Sequence, residues 1–303
     1  MRFNIISNIS NGVGLQRDYE LLRRLLELHG SQVSGVDFRA PSAPRADVNI
    51  FLEVVTPAML GAARESWIVP NSEWWHSGWD GSIPAIRRIL CKTRDCLKIW
   101  TQKAPGKATY IGWEAEDIYQ PEVERKAAFL HLAGKSTTKG TGAVIEAWER
   151  FNIPYPLTVV SARTGARVAG KVRYLPWMPR EDAIKTINEH RFFLMPSEYE
   201  GFGQSLYEAV GCGSLILTTN AAPMNEIPAL IPECQISVSS QGQMKAANIS
   251  RVSTDGVVKA VHAAAALSQD EISKHSDAAR NGFLASRELF RKRLYMILEG
   301  IGA

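Results

Sequence analysis

Two glutamates eight positions apart, Glu200 and Glu208, enclose the run EGFGQSLYE. An apolar run at 192–195 and the pair Pro196-Ser197 precede them, which reads as a strand ending in a loop. Gly201 and Gly203, on either side of Phe202, let the backbone bend tightly and come close to a ligand. Gln204 and Ser205 then fall at the start of the next helix. Backbone N–H groups there lack intrahelical partners and carry the positive end of the helix dipole, so an anion fits, a diphosphate most naturally. Glu208, about one turn in, can accept hydrogen bonds from two vicinal hydroxyls, as on a ribose. Glu200, on the loop, can hold the hydroxyls of a second sugar. The spacing suits a sugar nucleotide. A glycine turn after a strand is also often only a turn, and a glutamate pair is commonly just solvated.

A second polar loop upstream favours the ligand reading. It lies in HLAGKSTTKGTGAVIEAW, with Gly134 and the cations Lys135 and Lys139 between a strand and a helix. Together these stretches resemble the retaining GT-B glycosyltransferases, glycosyltransferase family 4 in particular. EGFGQSLYE is similar to their E-x7-E motif, and the preceding PS, the following EA, the Gly-Cys-Gly turn and the strand LILTT agree. Residues 172–182, VRYLPWMPRED, resemble the segment beside the nucleobase. Lys135 stands where the family usually has arginine, and the gap to Lys139 is one residue shorter. Lysine is a point charge without the guanidinium fork.

The resemblance implies an α/β GT-B fold: two Rossmann-like, doubly wound parallel-sheet domains facing a cleft, with a C-terminal helix crossing back. The boundaries expected are 1–122 for the acceptor-side domain, 123–285 for the nucleotide-sugar domain and 286–303 for the final helix. The implied reaction is glycosyl transfer from a nucleoside-diphosphate sugar with retention. Lys135, Lys139 and the amides of Gly203, Gln204 and Ser205 would face the departing diphosphate, Glu200 the donor sugar and Glu208 the ribose. No cofactor and no metal is implied, and the sequence has no Asp-x-Asp motif.

The first domain offers less. The turn Asn11-Gly12-Val13-Gly14 puts Gly14 opposite the donor phosphate by resemblance, and a plain turn fits equally. In PNSEWWHSGWD, Glu73 and His76 are candidates for acceptor contact or proton handling, Glu73 the catalytic one. Trp74, Trp75 and Trp79 are candidate acceptor-side surfaces, and core packing is the alternative for Trp74 and Trp75. Arg87, Arg88, Lys92 and Arg94 cluster around an expected helix over 86–97, either a solvated face or a contact for an anionic acceptor.

The elements needed to position these residues follow from apolar periodicity. Strands are expected at 2–7, 48–55, 67–70, 109–112, 128–133, 157–161, 172–175, 192–195 and 215–218. Helices are expected at 17–29, 86–97, 143–151, 181–189, from 206, at 257–267 and at 270–299. Apolar strands alternating with helices argue for parallel sheets covered on both faces.

Composition sets the outer limits. The chain of 303 residues is 45% hydrophobic and 22% charged, with a net charge of +4. That exceeds what one core usually serves, so two domains are expected. No apolar run is long enough for a transmembrane helix, and the start lacks a secretory core and reads as a first strand. Four scattered cysteines make neither a disulfide framework nor a zinc site, and a reducing cytoplasm fits them best. The expected partners are a nucleotide-sugar and a saccharide or glycoconjugate acceptor. A hydroxylated pyrimidine in DNA is a second acceptor class, and a non-catalytic binding or scaffold protein on the same frame is a third reading.

Overall fold

Residues 1–10, 12 and 14–300 are described by the computed structural model. The chain groups by backbone proximity into two units: 1–113 with 243–247 and 289–300, and 114–242 with 248–288.

In the first unit β1 (Arg2–Ser7), β2 (Gln32–Asp37), β3 (Ala46–Leu52), β4 (Ala63–Val69), β5 (Arg88–Cys91) and β6 (Ala108–Tyr110) form one sheet in the order β2-β1-β3-β4-β5-β6. All its pairings are parallel. β3 is buried along almost its whole length, as a strand covered on both faces must be. α1 (Gly14–Leu28) joins β1 to β2 and buries Leu22, Leu25 and Leu26, the three-to-four spacing of one helical face. α2 (Arg94–Lys103) joins β5 to β6. Trp75, Trp100, Ile86, Ile89 and Phe51 belong to the core between these elements.

The expected helix over 86–97 is corrected. Its apolar residues split between β5, where Ile89, Leu90 and Cys91 are all buried, and α2. The break is Thr93, whose Oγ1 caps α2 by accepting the Cys96 N–H at 3.1 Å. The basic cluster divides with it. Arg88 lies on β5 over the Trp67 ring, Lys92 is buried, and Arg94 stands over Tyr110. These residues do not make one basic helical face.

The second unit repeats the plan with β7 (Lys126–Gly134), α3 (Thr141–Phe151), β8 (Leu157–Ser161), β9 (Arg167–Ala169), β10 (Val172–Leu175), α4 (Arg180–Glu189), β11 (His190–Met195), α5 (Gln204–Gly211) and β12 (Leu215–Thr218). The sheet order is β12-β11-β7-β8-β10-β9, parallel except for β9 against β10. Phe129 on β7 stacks on Phe192 of β11 at 4.7 Å, at the centre of the core. A hairpin, β13 (Val238–Met244) with β14 (Ala247–Val252), precedes α6 (Thr254–Ala265) and the long α7 (Gln269–Glu299). Among the described residues no helix is long and apolar enough to cross a membrane.

Candidate functional site

In an open parallel sheet a crevice opens at the carboxyl ends of two neighbouring strands whose connections run to opposite sides. In the second sheet those strands are β7, leading to β8, and β11, leading to β12. The loop after β7 carries Lys135 and Lys139, and the loop after β11 carries Glu200.

The structure brings Lys139 and Glu200 into an ion pair, their side chains 15% and 12% exposed. Ser197 Oγ donates to the same Glu200 oxygen, Oε1, at 2.6 Å. The two loops are tied by the backbone too, since the Glu198 N–H donates to the Thr138 carbonyl at 2.8 Å. Gly140, at φ +66°, allows this closeness: a Cβ there would lie 2.4 Å from the Pro196 carbonyl oxygen. Gly134 has φ +57° with open space around it, and the exposed Lys135 sets its Nζ 5.0 Å from the centre of the Trp177 ring.

Behind the loops His131 is wholly buried on β7. Its Nδ1 lies 2.9 Å from the Leu194 carbonyl and its Nε2 2.8 Å from Thr141 Oγ1. The carbonyl can only accept, so Nδ1 carries the proton and Nε2 accepts from the threonine hydroxyl. Burial lowers its pKa to about 4, and Lys139 acts in the same direction. A neutral imidazole therefore braces β11 against α3.

Gly203, at φ +85°, precedes α5 and offers no side chain to cap it. Gln204 and Ser205 open that helix, as the sequence led one to expect. Phe202 follows Gly201, is buried, and stacks on Tyr207 at 4.2 Å. Glu208 is buried, and its carboxylate takes both prongs of Arg180, at 2.7 and 2.9 Å. Arg180 also reaches Glu116 at 2.9 Å. Burial opposes the charge on Arg180, but the carboxylates outweigh it and raise its pKa. Arg180 was missed as a site residue. It stands in VRYLPWMPRED, and nothing in that stretch announces a partner 28 positions away.

The first-unit candidates are placed as follows. Gly14 opens α1, while Asn11 and Val13 of its turn lie outside the described residues. Glu73 is buried within the 3₁₀ turn Ser72–Trp74. Trp75 is a core residue, packed edge-on to Trp100 at 4.6 Å and donating to Asp80 at 2.7 Å. Trp79 is half-buried against it, and the exposed His76 accepts the Gly78 N–H at 3.0 Å. Trp74 alone of the three tryptophans is exposed, with Lys245 Nζ 5.0 Å from its ring centre.

Comparison with solved structures gives matches over nearly the whole chain. Sucrose-phosphate synthase from Thermosynechococcus elongatus superposes with a TM-score of 0.72 at 12% identity, covering 99% of both chains. HepE from Anabaena, in complex with UDP and glucose, gives 0.67 at 12% identity, covering 100% of this chain and 99% of the other. The fold is GT-B.

Residues 121–229 of this GT-B chain match the family model described as Glycosyl transferases group 1. That span holds the β7 loop, Arg180, Glu200 and Glu208. In sequence, the chain is 38% identical over 58 residues to O-antigen chain mannosyltransferase B of Escherichia coli. That alignment covers 19% of this chain and 15% of the relative.

Proposed function

We propose that the protein transfers a glycosyl group from a nucleoside-diphosphate sugar to a hydroxyl of a saccharide or glycoconjugate, with retention at the anomeric carbon. The observation that carries this is the meeting of Lys139 and Glu200 where the second sheet's connections diverge, just ahead of α5. The match of 121–229 to group 1 glycosyl transferases supports it.

The chemistry follows from charge. When the bond from the anomeric carbon to the β-phosphate oxygen breaks, the electron pair and negative charge go to the diphosphate. Preorganised cations and amides stabilise that charge most in the transition state. Lys139 and the first-turn amides of α5 supply them, with Lys135 at the loop's outer side. Glu200 orients the sugar, held by Ser197. Glu208 binds the ribose hydroxyls, and Arg180 holds that carboxylate in place with two hydrogen bonds. The diphosphate is neutralised by these groups without a metal, so chelation with EDTA is expected to leave turnover unchanged. The basic residues 87–94 are split between β5 and α2 and lend no support to a DNA acceptor.

Thermal shift with UDP, GDP, ADP and dTDP tests the reading, because a ligand that binds the folded state raises Tm. At least one is expected to stabilise the protein, and Lys139→Ala to lose most of that shift. Four nucleotides without effect would sink the proposal.

A further inference from the structure

The amino edge of the first sheet gathers arginines that the chain keeps far apart. Arg2 opens β1, Arg45 immediately precedes β3, and Arg64 is second on β4. These strands are neighbours in the order β1-β3-β4. Phe3 pairs with Val48 and Ala46 with Ala63, so Asp47 lies in one rung between Arg2 and Arg64, on strands about 4.8 Å apart. Together with Ala46, Ala62 and Ala63 these four charged residues line a cavity of about 380 Å³. Its walls are built from inside. The carbonyls of Met59, Leu60 and Gly61, which lead into β4, are each taken by a polar side chain: Asn49 at 2.8 Å, Ser66 at 3.3 Å and Arg45 at 2.8 Å. Asn4 donates to the Pro44 carbonyl at 2.7 Å and to Asn49 Oδ1 at 2.9 Å. Asn4, Asn49 and Ser66 are buried, where a polar group is costly unless bonded. Their bonds fix the chain just before Arg45 and the turn just before Ala62.

The charges in this cavity do not balance. Asp47 accepts the Arg2 backbone N–H at 2.8 Å and makes no ion pair with a guanidinium. That bond, with the charges of Arg64 and Arg2, lowers its pKa, so it is an anion at neutral pH. Among the described residues the guanidiniums of Arg2 and Arg64 have no hydrogen bond or ion pair. Three guanidiniums against one carboxylate leave two positive charges in excess. Like charges on adjacent strands destabilise a sheet, and a bound dianion removes that cost. The planar fork of arginine matches phosphate oxygens with paired hydrogen bonds. The three alanines leave the space between the guanidiniums unfilled.

We propose that Arg2, Arg45 and Arg64 form a binding site for a phosphate monoester, whose negative charge matches the excess, with Asp47 limiting how tightly it is held. The ester is carried by a soluble molecule or by a lipid headgroup at a bilayer surface, and the phosphate chemistry is the same in both. β3, at seven residues, puts its own carboxyl end about 20 Å from this edge. The carboxyl edge is where open parallel sheets take the ligands they act on. The arginine site therefore stands apart from the proposed transfer and does not depend on it.

The test uses NMR of the full chain with isotope-labelled alanine methyl groups, the signals of Ala62 and Ala63 being assigned through Ala62→Ser and Ala63→Ser. These methyls line the cavity, so a phosphate held by the loops of the second unit is not mistaken for one bound here. Glycerol 3-phosphate is expected to move both signals saturably, and glycerol, the uncharged control, to leave them in place. Arg64→Met, at an exposed position, is expected to weaken binding about tenfold, since charge-assisted hydrogen bonds are lost. Asp47→Asn is expected to tighten it several-fold, a gain that disturbed packing does not produce. Sedimentation with phosphatidylcholine vesicles, with and without phosphatidic acid, separates the two sources. Pelleting that requires phosphatidic acid and is lost in Arg64→Met assigns the lipid headgroup; saturable methyl shifts without pelleting assign a soluble ester. Signals that glycerol 3-phosphate leaves in place or moves without saturating, together with no pelleting on phosphatidic acid, overturn the proposal without relying on any variant. Unchanged binding in either Arg64→Met or Asp47→Asn overturns it too.

Discussion

At the scale of single residues, Glu208 and His131 make contrasting claims. Glu208 is a buried carboxylate paired with the Arg180 guanidinium. Removing one partner of a buried ion pair is costlier than losing the pair altogether. Arg180 is about a third exposed, which reduces the penalty. We expect Arg180→Ala to lower stability by about 1–3 kcal/mol, and Arg180→Ala with Glu208→Gln to recover part of it, as read by urea unfolding. Additive losses would show that the two side chains act separately. His131 is neutral when folded, with a pKa of about 4 against 6.5 for an unperturbed imidazole. The unfolded chain therefore binds the extra proton between these values, and stability rises with pH across that window. The contribution amounts to about 3 kcal/mol, lost as pH falls from near 6.5 to 4. His131→Gln should flatten that part of the stability curve, and an unchanged slope would contradict the neutral assignment. The glutamates were legible in the sequence because glycines and a strand end surround them. Arg180 was not, since a partner far along the chain leaves no local mark.

At the scale of elements, short buried strands defeat periodicity while helix starts do not. RILC is too brief to show alternation, and Ile86, Ile89, Leu90 and Leu97 happen to fall at helical intervals. Thr93 was the available signal, a capping threonine in front of α2. β2, QVSGVD, was missed because only Val36 is buried and Gly35 weakens the pattern; the Tyr19 ring occupies the space where a side chain at Gly35 would stand. The loop between β7 and α3 gives the sharpest test of element packing. Gly140→Ala forces a Cβ to 2.4 Å from a backbone oxygen at positive φ, and should cost about 2–4 kcal/mol. Gly142→Ala, two residues on in the first turn of α3, meets nothing within 4 Å and should be neutral or stabilising by up to about 1 kcal/mol. Equal effects at the two glycines would contradict the close approach of the β7 and β11 loops. In the first unit, Lys92 joins β5 to α1 through Asp18 at 2.8 Å, and Trp113 donates to the other Asp18 oxygen at 2.8 Å. Lys92→Met removes the cation of this buried pair, with an expected loss of about 3–5 kcal/mol in chemical unfolding.

At the scale of the whole molecule, the sequence showed two series of strands, and the structure turns each into a six-stranded sheet. What it could not show is strand order, which depends on how connections cross rather than on any run of residues. Order nevertheless decides where ligands go, because it sets β7 beside β11 and β1 beside β3. A nucleotide bound as proposed should therefore mark one end of the second sheet and spare the other. Hydrogen exchange with a saturating nucleoside diphosphate makes the distinction. Amides at 134–142 and 203–208, at the carboxyl ends of β7 and β11 and the start of α5, should slow by more than the general stabilisation from binding. Amides at the opposite edge, Lys126 and Leu157 at the starts of β7 and β8, should change only with global stability. Equal slowing at both edges would mean that binding raises stability without engaging the loops. Slowing confined to the amino edge would place the nucleotide on the wrong side of the sheet. Either pattern removes Lys139 and Glu200 from the reaction, whatever the fold resembles.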